Sequence, residues 1–169
     1  MLAPEGAELD AFQATRAFGS SLLGRFDEAA ALVPDSPDRI TTGDHQVCAA
    51  LFGQLALTEA ELEHLAGLFT TAVAGLATDA VERRAAIAHS LAVTRLLQGQ
   101  PILALPLLDA SRAGATTTAS RAAVDATRGV ALAQQGDLDG ARQLLHDLQA
   151  DAPWSPWLRV LEQAIEVPA

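Results

Sequence analysis

The chain has four histidines, one cysteine and no lysine, and those counts bound its chemistry. His45 and Cys48, in HQVC, stand one helical turn apart, the spacing of two metal ligands. A structural zinc site wants four such ligands. His64, His89 and His146 are scattered with no matching pair, so the stretch reads as a helix start with one buried thiol, and no metal is expected. TEAELEH stacks Glu59, Glu61, Glu63 and His64 on a helix. Acid–base work needs a shielded carboxylate with a shifted pKa. Acids at a helix N-terminus are already explained by the macrodipole, so a solvated face is expected. Gly19 to Ser21 lacks the spacing of a nucleophile elbow. Without lysine there is no Walker-type phosphate loop, no Schiff base and no Ser–Lys dyad. An enzyme is not expected, and no cofactor is implied.

Half of the 169 residues are hydrophobic, but aromatics are 4% and tyrosine is absent, so the core must be aliphatic, with alanine-rich helices in close approach. That size suits one domain, 1–169. All cationic residues are arginine, which looks like the codon bias of a GC-rich bacterial genome. A net charge of −10 opposes nucleic-acid binding and suits a basic or apolar partner. A single cysteine allows no internal disulfide and fits a reducing compartment. MLAPEGAELDAF is not a secretory signal, and no apolar run is long enough to span a membrane. A cytoplasmic location is expected.

The elements that would position any site are helices. From Asp125 to Gln135 the small and apolar residues recur at helical spacing. Gly136 supplies the left-handed residue that stops such a helix, and Asp137 can cap the next. Leu138, Ala141, Leu144, Leu145 and Leu148 make a second stripe, ended by Pro153. Two helices across so short a turn cannot bury both faces alone and need neighbours of the same kind.

On these residues the stretch resembles a tetratricopeptide repeat, with Gly129 at the small position where the two helices touch, Gly136 at the turn, Ala141 at the close-packing alanine, Leu145 one turn later and Pro153 at the end. It departs from that pattern at Asp125 and Leu132, where aromatics are usual, and at Leu148, where alanine is usual. The last full unit is 122–153. Glycine–alanine turns recur at 24/29, 99/104 and 136/141. The last two lie one roughly 34-residue period and a short insertion apart, with Gly114 to Thr118 the natural insertion site.

Along the chain, a helical stripe runs from Ala11 to Leu23, and GRFDEAAALVP repeats the hairpin signal. Residues 35–44 read as a flexible polar loop, and His45 to Ala56 as helix. Thr58 to Glu61 is a capping box opening the next helix, and Asp79 to Glu82 a similar start. Pro106 should kink its helix or delay it. Ser155 and Pro156 read as N-cap and first position of a capping helix, 156–166, that closes the end of the stack.

The expectation is an all-α, right-handed stack of about four antiparallel helix pairs plus this cap. The resemblance implies a concave groove lined by first helices: Ala86, His89, Val93 and Leu96 in one unit, Ala126, Val130 and Ala133 in the last. The same residues read equally well as packed core. Trp154 and Trp157 are candidates for a terminal partner contact, or for sealing the core edge. The chaperone-tail clamp of the resembling family needs lysine and asparagine, and both are absent. The groove then implies a non-catalytic protein–protein interaction module. Its partner would be an apolar or amphipathic peptide, the chain's own N-terminal segment or a second copy forming a homodimer. The alternatives are a small secretion-type chaperone and a regulatory, ligand-sensing domain.

Overall fold

The computed structural model describes Arg16, Ser20, Leu23, residues 25–32 and residues 39–167. Among these the regular structure is helical: α1 (Phe26–Leu32), α2 (Arg39–Leu51), α3 (Glu59–Gly75), α4 (Val81–Leu97), α5 (Pro101–Gly114), α6 (Thr118–Gln135), α7 (Leu138–Asp151) and α8 (Trp157–Glu166). Three antiparallel pairs follow one another, α2 with α3, α4 with α5 and α6 with α7, and α8 closes the series. A fourth, N-terminal pair would place its first helix mostly outside the described residues.

Local chemistry accounts for the boundaries. Gly99 and Gly136 end their helices at φ of 71° and 89°, a left-handed conformation that costs a residue with a Cβ about 1–2 kcal/mol. Asp137 then caps α7 by accepting from the Gly140 N–H at 2.9 Å. At the start of α3, Thr58 accepts from the Glu61 N–H while the Glu61 carboxylate accepts from the Thr58 N–H at 2.7 Å. The Glu61 carboxylate considered above for acid–base work is thus committed to the cap, and these bonds hold its pKa below the usual range. A second reciprocal cap joins Thr117 and Ser120 at the start of α6, after the linker that begins beyond Gly114.

The packing follows the turn pattern. Ala104 and Ala141, each five residues beyond a turn glycine, are fully buried, where only a methyl lets two helices close up, and Ala29 is fully buried as well. Helix α4 is central, touching α2, α3, α5 and α6, while α6 packs on α5, α7 and α8. Full burial of each large apolar side chain in this core contributes about 1.5–3 kcal/mol.

Several expectations are corrected. Residues 39–44 are not loop: α2 begins at Arg39 and buries Gly43 and Asp44. Residues 33–38 lie outside the described residues. Helix α4 has Ala80 as N-cap with no side-chain bond, so the Asp79 signal does not act as a cap. Helix α5 starts at Pro101, so Pro106 does not delay it, and it runs on through Pro106, where the carbonyl deprived of its partner belongs to the exposed Ile102. Helix α6 begins at Thr118, before residue 122. Pro156, not Ser155, is the N-cap of α8, while Ser155 is buried with no hydrogen-bond partner for its hydroxyl among the described residues. At Gly129 the nearest neighbour lies beyond the hairpin, since a Cβ there would meet Leu161 of α8 at 2.5 Å.

Candidate functional site

The expected groove residues are mostly core. Val93, Leu96, Ala126, Val130 and Ala133 are at most 8% exposed, and His89 is 4% exposed. The physical reason is closure of the inner face. Trp157 of α8 is fully buried, with its ring 5.0 Å from Phe52 just beyond α2 and 5.3 Å from His89 of α4. Inner helices from both ends of the stack therefore meet, and side chains expected to face a partner face each other. Trp157 is thereby a core residue, whereas Trp154, in the loop before α8, is 51% exposed.

Part of the inner face stays open. Between the first turns of α4 and α6 lies a cavity of about 450 Å³, within the usual range for small-molecule sites. Ala86 and His89 of the expected set line it, with Glu82, Ser111, Ala119 and Val124 among their neighbours and Leu23 at one edge. Small residues make this space: a Cβ on Gly114 would approach the Ala85 Cβ to 2.7 Å, so the α4–α5 pair is locked behind the cavity.

His89 is the floor, and its chemistry is defined by its neighbours. Its Nε2 lies 2.9 Å from the Thr127 hydroxyl oxygen. The Thr127 hydroxyl also lies 2.7 Å from the Ala123 carbonyl, and the tautomer of the ring sets which of His89 and Thr127 donates to the other. Burial pushes the pKa of His89 down to about 4, and the ring is neutral at pH 7. Nδ1 has no hydrogen-bond partner in the described residues and is not among the sealed polar atoms.

A second cavity, of about 550 Å³, separates α2 from α3 and is lined by Arg39, Gln46, Leu57, His64 and Leu68, among others. Behind it sits a buried polar cluster that no spacing argument had assembled. The Ser90 hydroxyl donates to Asp44 at 2.5 Å, and the Cys48 thiol approaches the same oxygen at 3.8 Å. Burial raises the Asp44 pKa to about 6 against these bonds, and burial, with Asp44 beside it, raises that of Cys48. The four-residue spacing of Asp44 and Cys48 was the available signal, hidden by reading residues 35–44 as loop. Among the described residues no three His, Cys, Asp or Glu side chains group as metal ligands, and no helix is long and apolar enough to cross a membrane.

No protein-family model matches the chain, and no curated protein matches it. Among solved structures it is similar to a mutant of MamA at 18% identity, over 93% of this chain and 86% of that one, with a TM-score of 0.47.

Proposed function

We propose that the chain is a non-catalytic, tetratricopeptide-like interaction module that holds a protein segment at the open end of its inner face. The observation that carries this reading is the cavity between α4 and α6, with Ala86 and His89 in its walls. It lies where adjacent first helices part, and both residues belong to the face that repeat proteins of this kind offer to peptides. The closed remainder of that face leaves room for an anchor side chain and its flanks, not for a long extended segment. The acidic balance of the chain selects against acidic partners.

The test uses a plug rather than a core substitution. Thr116→Trp alters an exposed linker residue at the cavity wall, so the helical stack should melt as the wild type does. A protein retained by the tagged wild type from a lysate of its source, and lost by the plugged variant, supports the reading. Retention unaffected by the plug sinks it. A dimer that the plug disrupts would make a second copy of the chain the partner.

A further inference from the structure

Helix α2 is held to the stack lightly, and by a polar contact. Its buried apolar side chains are Val47 and Cys48, whereas α4 buries Ile87, Leu91, Val93 and Leu96 among others. Towards α3, the cavity of about 550 Å³ leaves part of its flank uncovered. An element with few buried apolar contacts is the one that opens before the whole fold does. In the interior, α2 meets α4 through the Ser90 hydroxyl, 2.5 Å from the Asp44 carboxyl. The same hydroxyl lies 3.2 Å from the Ala86 carbonyl oxygen of its own helix. One hydroxyl proton cannot fully serve two acceptors. A protonated Asp44 resolves this, since its own O–H donates to Ser90 and frees the Ser90 proton for Ala86. An ionised Asp44 takes the Ser90 proton and leaves a buried charge with no cation paired to it among the described residues.

We propose that α2 is a proton-controlled joint, docked on α4 through a neutral Asp44 and loosened from it, with the rest of the stack folded, once that carboxyl ionises. Burial raises the pKa of Asp44 from 3.8 to about 6. Docking is therefore favoured fully below pH 3.8, and the preference is lost as the pH rises through 6. The groups that face the carboxyl are Cys48 on its own helix and Ser90 on α4. The charged side chains of α1 and α3 are exposed. On α4, Glu82, Arg83 and Arg84 stand at the start and Arg95 near the end, each more than a turn from Ser90. His89 of α4 is turned to Thr127 and Trp157. His45, next to Asp44, is uncovered by the same opening and acts in the opposite sense, because burial lowers its pKa. The joint is independent of any partner held between α4 and α6.

Cys48, the one cysteine of the chain and 2% exposed, reports the opening. The full chain is labelled with an aromatic disulfide reagent at about pH 5 and about pH 7.5. Protection is the labelling rate of the urea-unfolded chain divided by that of the folded chain at the same pH. Dividing by the protection measured in Asp44→Asn removes the shared histidine contribution. That ratio should fall about tenfold from the lower pH to the higher, as linkage requires of a carboxyl with pKa 3.8 when open and about 6 when docked. Cys48 should label well before global unfolding in urea allows, while the amides of α6 to α8 keep their slow exchange at both pH values. Ser90→Ala keeps the carboxyl but removes its bond to α4, and should cut protection at the lower pH about fivefold, the size of one net hydrogen bond. A ratio that changes by less than about threefold, or rises with pH, overturns the proposal. So does Cys48 protection equal to that of global unfolding, which makes the opening that of the whole fold. Unchanged protection in Ser90→Ala overturns it too, since the Asp44 contact would then not hold α2 to α4.

Discussion

Asp44→Asn is the substitution whose consequence follows most directly from the geometry. The carboxyl is buried on α2 against α4, bonded to Ser90 and close to Cys48, with no ion-pair partner in the described residues. Burial raises its pKa from 3.8 to about 6. Across the window between those values the folded chain holds a proton that the unfolded chain has released. Protonation therefore supports the fold fully below pH 3.8, and the support is lost as the pH rises through 6. Rather more than two pH units at about 1.4 kcal/mol each amount to about 3 kcal/mol. Asparagine resembles the neutral form at every pH. The stability of Asp44→Asn minus that of the wild type should thus fall by about 2.5 kcal/mol between about pH 7.5 and pH 4, whatever the fixed cost of the amide. Urea unfolding followed by far-ultraviolet circular dichroism measures that difference. His89 acts in the opposite sense: its pKa is lowered from 6.5 to about 4, so its support is present above 6.5 and lost as the pH falls through 4. Burial also lowers the pKa of His45, with the same sign. The histidine and aspartate effects offset each other in the wild type, and the variant should show the acid slope uncovered. A difference that changes by less than about 1 kcal/mol, or grows on acidification, would refute a charged, desolvated Asp44.

Two further outcomes test the packing. Gly136→Ala forces a Cβ into a left-handed residue and should cost about 1–2 kcal/mol, whereas Gly67→Ala, on an exposed turn of α3 with nothing near its Cβ, should gain about 0.5–1 kcal/mol; both are read by thermal unfolding, and equal effects would contradict the turn assignment. Gly129→Ala drives a methyl against Leu161 and should cost about 1–3 kcal/mol, with part of that loss recovered when Leu161→Val makes room. Strict additivity of the two changes in a double-mutant cycle would place the strain elsewhere.

The elements were largely legible because their signals are local. The Thr58–Glu61 cap, the turn glycines at 99 and 136 and the Asp137 cap depend on atoms within a few residues of one another, and the structure has all of them. The alanine five places beyond each glycine was legible for the same reason. Residues 39–44 misled because Gly43 and Asp44 have turn-like local preferences, and only the tertiary partners Leu65, Phe69 and Ser90 reward helix there. The site was legible in half. Helical spacing put Ala86, His89, Val93 and Leu96 on one face of α4, and that phase alone could not say what lies opposite.

By itself, then, the sequence determined the secondary structure, the pairing of neighbours through short glycine turns and the aliphatic character of the core, since each depends on composition or on contacts close along the chain. Only the tertiary structure decided that Trp157 returns to Phe52 and His89 and closes most of the inner face. It also decided that His89 meets Thr127, which lies 38 residues further along the chain. Such contacts depend on the curvature of the stack, the sum of packing angles at several interfaces, and no single stretch of the chain encodes that sum.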